Sequence, residues 1–431
     1  MSLPLTPYKG ARDFYPEDKL KQNYIFSNLR QTVKLFGYEE YDAPILEAIE
    51  IYKAKSGEEI VNEQTYKFID RGGREVAIRP EMTPTVSRMV AARRQELIYP
   101  LRWFSIPNLW RYERPQRGRL REHWQLNVDL FGVVGYLAEL ELIMISDAIF
   151  KNFGANREMY TIKINHRGFT DHLLNEYLKL DVSQTYSMVK LIDRKAKMEN
   201  NEFLAKVDEI LSAKQKEEGI SEKLLGVLNC SSLAALPEAL KSIKPIIDIK
   251  RVIASCQQYA INNVVFDPTI MRGFDYYNGV VFEVNDNHPD NNRSMMGGGR
   301  YDGLVGLFGV EPLPTAGFGL GDTTLGNFLE LHNLMPKFSS ETMIYIVTTG
   351  EDVIDDAIKV AAYLRSKKIN VAIDFSHKKL GDQIKSASKK NIGYVLIIGK
   401  KEIESQYFTL RDLNSSSEET ISLEQIASKI H

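Results

Sequence analysis

Arg111-Tyr112-Glu113-Arg114-Pro115-Gln116-Arg117-Gly118-Arg119-Leu120-Arg121-Glu122-His123 is the stretch on which the reading of this chain turns. It lies between two runs of extended character, 108–111 and 125–131, so several guanidiniums share one short loop. Arginine is planar and permanently charged, and it can grip phosphate or carboxylate with two parallel hydrogen bonds. A solvated basic hairpin or a nonspecific polyanion patch would have the same composition. What stands before and after the loop must decide.

Upstream, apolar Tyr24, Ile25, Leu29, Val33 and Phe36 recur at helical spacing over 18–36, and Gly37 stops the helix. Residues 38–45 read as a strand interrupted by Pro44, which belongs at an edge or an interface because proline donates no ladder hydrogen bond. Residues 65–70 and 75–78 flank the turn Arg71-Gly72-Gly73 as a hairpin. A helix over 81–94 and an extended run over 101–107 lead into the arginine loop. Downstream come an amphipathic helix over 137–153 and a Leu-, Lys- and Glu-rich helical insertion over about 172–260. Strand character returns at 263–266 and 279–284, and a strand–helix unit over 315–331 closes the segment. After a linker at 335–340, strands and helices alternate over 343–347, 353–364, 371–375, 380–388 and 394–398. That alternation predicts a small α/β domain with a largely parallel sheet. The domains expected are 1–334 and 341–431.

Two further constellations carry chemistry. Met271-Arg272-Gly273-Phe274-Asp275-Tyr276-Tyr277-Asn278-Gly279 joins a cation, an acid and two phenols. If extended, it would put Tyr276 and Tyr277 on opposite faces; aromatic packing is the plainer alternative. Met296-Gly297-Gly298-Gly299-Arg300-Tyr301-Asp302-Gly303 reads as a flexible turn or as backbone that a ligand approaches closely. Gly317-Phe318-Gly319-Leu320-Gly321 imitates a dinucleotide loop, but its third glycine comes too early.

With 431 residues, 43% hydrophobic and 26% charged, the chain has the composition of a multi-domain globular protein. A net charge of -2 excludes a general polyanion coat and leaves only local basic patches for nucleic acid. Cys230 and Cys256 can build neither a disulfide framework nor a Cys-rich zinc site, so a reducing compartment is expected. No apolar run reaches membrane-span length, and a soluble, cytoplasmic protein with no membrane partner is expected.

In order, Lys9-Gly10-Ala11-Arg12-Asp13, Arg79-Pro80-Glu81-Met82-Thr83, the arginine loop, the Arg272–Tyr277 motif and 297–304 closely resemble the histidyl-tRNA synthetase family. The helix ending before Pro44 is similar to class II motif 1, the family's dimer element, and 111–132 to motif 2. The region 343–413, with Lys379-Leu380-Gly381-Asp382-Gln383-Ile384-Lys385, resembles its anticodon-binding domain. The class I signatures are absent. The resemblance implies an α+β core with an antiparallel class II sheet, a helical insertion, a C-terminal α/β anticodon-binding domain and a homodimer. It implies ATP as substrate with one or two Mg2+ ions, L-histidine as the amino acid and tRNA(His) as partner. By family match, Arg111 and Arg272 flank the reacting α-phosphate and carboxylate. Glu81, Thr83 and Gln125 receive the α-ammonium. Asp129, standing where many members have glutamate, reads the imidazole with Tyr277, with Tyr276 and Tyr301 close by. Glu113 meets adenine, and Arg119 and Arg121 meet the outer phosphates. Such a site rejects analogues lacking the hydrogen-bonding groups by about 10⁴ or more.

Class II motif 3 normally carries an arginine just inside its helix, and here Thr324 stands there. The expectation is that Arg119, Arg121 or a basic residue elsewhere takes over part of its contact with the last phosphate. Paralogues that serve as histidine-sensing regulatory subunits of histidine biosynthesis lose catalytic residues and usually lack the C-terminal domain. They are the rival reading. Lys378, Lys379 and Lys385 belong to a lysine-rich run that reads either as a solvated face or as tRNA contacts.

Overall fold

The computed structural model describes residues 3–53, 63–116, 118–195, 198–271, 276–291 and 293–430. The chain divides into two compact units, Met1–Met335 and Pro336–His431.

The larger unit begins with a helix, Pro16–Leu35, started by a proline in its first turn with Glu17 and Asp18 beside the positive helix end. Ile25, Phe26, Leu29 and Val33 form its buried stripe, and Gly37 at φ +79° turns the chain away. Its strands in chain order are β1 (Glu39–Glu40), β2 (Leu46–Ala48), β3 (Lys67–Ile69), β4 (Glu75–Ile78), β5 (Leu101–Ser105), β6 (Asn108–Trp110), β7 (Glu122–Phe131), β8 (Tyr160–His166), β9 (Val264–Phe266), β10 (Val280–Asp286), β11 (Ser294–Arg300) and β12 (Thr315–Gly321). Among the described residues, nine of them form one sheet in the order β1-β5-β7-β12-β11-β10-β8-β9, with β6 also on β7. Its centre is antiparallel; only the outer pairs β1–β5 and β8–β9 run parallel. A second sheet, β2-β4-β3, stands apart.

One face of the large sheet is covered by the first helix and by the helices Leu137–Asn152 and Lys244–Gln258. Leu126, Val128 and Leu130 of β7 and Ala316, Phe318 and Leu320 of β12 point into that core. The short helices between 182 and 258 add Leu191, Phe203, Val207, Leu224 and Leu240 to the same core. The other face of β7, β11 and β12 carries the candidate site.

Several expectations need correction. The strand predicted over 38–45 shrinks to β1, because Pro44 ends the ladder. The triple-glycine segment is no turn: Gly297, Gly298 and Gly299 lie inside β11, paired on both sides. β8 went unread, although Tyr160, Ile162 and Ile164 alternate with Thr161 and Lys163 as a half-buried strand should.

In the smaller unit, β13 (Ile344–Thr348), β14 (Val371–Ile373) and β15 (Tyr394–Ile398) are parallel. Two strands missed in the sequence, β16 (Phe408–Asp412) and β17 (Glu418–Ile421), extend the sheet antiparallel and make it mixed.

Candidate active site

Four glycines form the floor of the cleft. The antiparallel register sets Gly317 of β12 between Asp129 of β7 and Gly299 of β11, and Gly319 between Asn127 and Gly297. On this face β7 presents Gln125, Asn127 and Asp129, whose side chains lie across the bare backbone. A Cβ on Gly317 would stand 2.6 Å from Asp129 Oδ1 and 2.7 Å from the Val128 carbonyl oxygen. One on Gly319 would stand 2.8 Å from Gln125 Cδ. Only glycine leaves these strands open enough for a flat ligand. Glu81, Thr83, Arg111, Tyr276, Tyr277 and Tyr301 complete the lining.

Asp129 is 3% exposed. Its Oδ1 accepts the Tyr301 hydroxyl hydrogen bond, while Oδ2 is buried with no partner. Burial pushes its carboxyl up to about 7, against the opposing pull of the Tyr301 hydroxyl and then of the nearby Tyr41 hydroxyl. Burial also raises the Tyr301 phenol well above its usual range. At the other end, the Tyr276 hydroxyl donates to buried Glu81 Oε2 at 3.1 Å. Tyr276 and Tyr277 do not separate onto opposite faces. Their rings lie 4.8 Å apart, and both pack beside Tyr301 in one cluster. Arg272 lies outside the described residues.

Arg79 places Glu81. Nearly fully buried, it donates from Nη1 to the Ala43 carbonyl at 2.6 Å and to Asp42 Oδ1 at 3.1 Å, and from Nε to the Asn108 carbonyl at 3.0 Å. This joins the segment before Glu81 to β6 and to the turn before β2. Arg111 donates from Nε to the Pro80 carbonyl at 2.8 Å, which sets its guanidinium beside Glu81. On β11, buried Arg300 pairs with Glu139 at 2.7 Å and also donates to the Gly135 carbonyl, holding the strand end that carries Tyr301. Burial and the Arg111 and Arg12 charges hold the neighbouring His123 down to about 3, so it adds no charge near neutral pH.

The arginine loop folds back as a tight turn, with Gln116 and Arg119 paired through their backbones and Gly118 at φ +77°. Arg119 pairs with Glu113 at 3.2 Å. Arg121 lies over the Tyr112 ring at 3.9 Å and donates to the Tyr8 hydroxyl at 3.0 Å. The Gly10 carbonyl accepts the Arg121 and Glu122 N–H groups, so the Lys9–Asp13 segment braces the loop. Thr324, in the first turn of the helix Asp322–Leu331, donates to the Gly321 and Met295 carbonyls. Arg12 pairs with Asp322 at 2.7 Å.

The described site therefore gathers Glu81, Thr83, Arg111, Gln125, Tyr276, Tyr277 and Tyr301 in one cleft, with Asp129 buried behind Tyr301 and Glu113, Arg119 and Arg121 on the adjoining loop. Lys378, Lys379 and Lys385 lie in the smaller unit, around the start of the helix Leu380–Lys389. The sequence reading missed Asn127, which the two-residue alternation from Gln125 to Asp129 could have found. It also missed the positioning roles of Arg79 and Arg300, which no local pattern signals.

Residues 10–325 match the family model described as histidyl-tRNA synthetase, and 343–431 match an anticodon binding domain. A histidine–tRNA ligase from Leptospira biflexa is 44% identical, the match covering 98% of this chain and 96% of that protein. One from Thermoplasma volcanium is 33% identical over 96% of each chain. The crystal structure of histidyl-tRNA synthetase from Nostoc superposes with a TM-score of 0.82 at 21% identity, covering 100% of this chain and 99% of that one. The chain belongs to the histidyl-tRNA synthetase family.

Proposed function

We propose that this chain is a histidine–tRNA ligase that forms histidyl-adenylate from L-histidine and ATP and transfers the histidyl group to tRNA(His). The observation that carries the reading is the glycine-floored cleft ending at Asp129, whose buried Oδ2 lacks a partner, in a chain 44% identical over 98% of its length to a histidine–tRNA ligase. An imidazole N–H meets that orphaned oxygen, beside Tyr277. The α-ammonium meets Glu81, oriented by Tyr276, with Thr83 and Gln125. A substrate missing the imidazole N–H leaves the buried Asp129 oxygen unsatisfied.

In the first step a histidine carboxylate oxygen attacks the α-phosphorus, and the bond to the leaving pyrophosphate breaks. Both reactants are anionic, so Arg111 and, by family match, Arg272 neutralise them. Glu113 receives the adenine, and Arg119 exchanges its Glu113 partner for phosphate oxygens alongside Arg121. Mg2+ accompanying the nucleotide would supply further charge neutralisation on the phosphates; among the described residues no cluster of three or more His, Cys, Asp or Glu would hold it independently. In the second step a hydroxyl of the 3′-terminal ribose attacks the histidyl carbonyl carbon and AMP leaves. The regulatory reading is less favoured, since the anticodon-binding match at 343–431 is retained.

Lys378, Lys379 and Lys385 supply phosphate contacts to the tRNA. A second copy of the chain covers the edge strand β1 and the exposed Ile45, Leu46, Phe68 and Ile69 around β2 and β3. The cytoplasm is the expected compartment. The reading is tested by ATP–pyrophosphate exchange with each of the twenty amino acids, on wild type and Arg272→Ala. Exchange with histidine alone, lost in the variant, is expected. Histidine binding without exchange would overturn the ligase reading in favour of a sensor.

A further inference from the structure

Arg293 stands just before β11 and reaches to the arginine loop, donating from Nη2 to Gln116 Oε1 at 3.0 Å. At the loop's tip, a Cβ on Gly118 would stand 3.5 Å from Thr324 Cγ2, 3.7 Å from Arg293 Cδ and 3.7 Å from Asn327 Nδ2. The Arg293 side chain thus lies in the crevice between the loop tip and the first turn of the helix Asp322–Leu331, with Thr324 across from it. The Thr324 hydroxyl is engaged by backbone carbonyls, one of them that of Met295, two residues beyond Arg293.

The neighbouring arginines are committed differently. Arg119 is paired with Glu113, Arg12 with Asp322, and Arg121 is stacked on Tyr112. Arg293 has a neutral amide as its hydrogen-bond partner, and among the described residues no carboxylate forms an ion pair with it. A half-buried guanidinium held in place by an uncharged group keeps its full charge for an anionic ligand. The positive end of the adjoining helix adds to the same field.

We infer that Arg293 provides the cation that Thr324 does not. It binds the outermost phosphate of ATP and holds the pyrophosphate that leaves. This rests on the ligase reading for the orientation of ATP, with its outer phosphates towards the loop tip.

Equilibrium binding of ATP, AMP, pyrophosphate and histidine to wild type, Arg293→Ala, Arg293→Lys and Gln116→Ala, followed by calorimetry, tests it. Loss of one charge-assisted contact predicts about 10- to 100-fold weaker ATP and pyrophosphate binding in Arg293→Ala. AMP and histidine binding should stay within about 2-fold, and Arg293→Lys should regain part of the loss. Equal losses for ATP and AMP would overturn the inference. So would Gln116→Ala reproducing the Arg293→Ala loss, since Arg293 would then act only by shaping the loop. If Arg293→Ala does not fold, Arg293→Lys and Arg293→Gln carry the same ATP-against-AMP comparison. Because none of these readings needs turnover, a wild type without histidine-dependent exchange would break the ligase reading and leave this result separately legible.

Discussion

Asp129 in the large sheet and Asp374 beside the small one are both buried aspartates, at 3% and 5% exposure, and their surroundings drive them in opposite directions. Asp374 has both oxygens engaged, one by the Ser376 N–H at 2.7 Å and the other by the Tyr345 hydroxyl at 3.2 Å. Burial raises its carboxyl, but the contacts with Ser376 and Tyr345 outweigh burial and hold it below the ordinary carboxylate range. Asp129 has the Tyr301 hydroxyl on one oxygen and no geometric hydrogen bond on the other, with the Tyr41 hydroxyl near by, and burial outweighs both hydroxyls. Asp374 thus has its hydrogen bonds completed within the small unit. Asp129 keeps one oxygen without a hydrogen-bond partner, on a sheet braced by the buried Arg300–Glu139 pair. Other buried atoms also lack partners, so what singles out Asp129 is that its shortfall lies on the sheet face of the cleft, beside Gly317 and Tyr301.

The largest effect should come from breaking that brace. Arg300→Met leaves Glu139 buried without its cation and should lower the large unit's urea-unfolding stability by about 3–5 kcal/mol. Arg365→Met, at an exposed position of the small unit, should cost about 0.5 kcal/mol or less. Equal losses would show that the two units do not differ in this way.

Asp129→Asn sharpens the contrast through pH. The raised native pKa means the folded state holds its proton more tightly than the unfolded chain. The penalty is therefore absent below about pH 4, grows as pH rises towards 7 and stays constant above. Asparagine should remove that slope and gain on the order of 3 kcal/mol at pH 8, while histidine binding falls. Asp374→Asn should do the reverse: its depressed pKa contributes stability above the unfolded value, lost on acidification, and the variant forfeits it. Chemical denaturation across about pH 2–8 reads both.

Gly317→Ala fills the cleft floor and should cut histidine-dependent exchange by about 10²-fold through displacement of Asp129 and Tyr301. The smallest effect is expected from Lys378, Lys379 and Lys385 changed together to Ala. The tRNA KM should rise about 10-fold with a shallower salt dependence, while exchange without tRNA is unchanged. A fall in tRNA-free exchange would overturn the assignment of these lysines to tRNA alone.

Much of the candidate site was legible as an ordered series of motifs, because arginine, glycine and carboxylate at fixed positions name their chemistry locally. The helix Pro16–Leu35 was legible for the same reason: its apolar stripe and its stop are both local signals. Less local features failed. Gly297–Gly299 looked like a turn because glycine is read by its freedom, yet pairing with β10 and β12 makes those residues the centre of a sheet. β17 lies at the sheet's edge, where burial imposes little pattern, whereas interior β16 alternates buried Phe408 and Leu410 with Thr409 and Arg411, a short signal that went unread.

The sequence by itself pointed to the family through its ordered motifs, and to the main helices and most cleft residues, since each of these is a local signal. Tertiary structure alone decided which of them meet. Strand register brought Asp129 over Gly317, buried Arg79 and Arg300 fixed the frame, and Arg293 came against Gly118 and Thr324. The physical reason is that register and burial depend on partners far apart in the chain. A carboxylate's missing hydrogen bond exists only once everything around it has been packed.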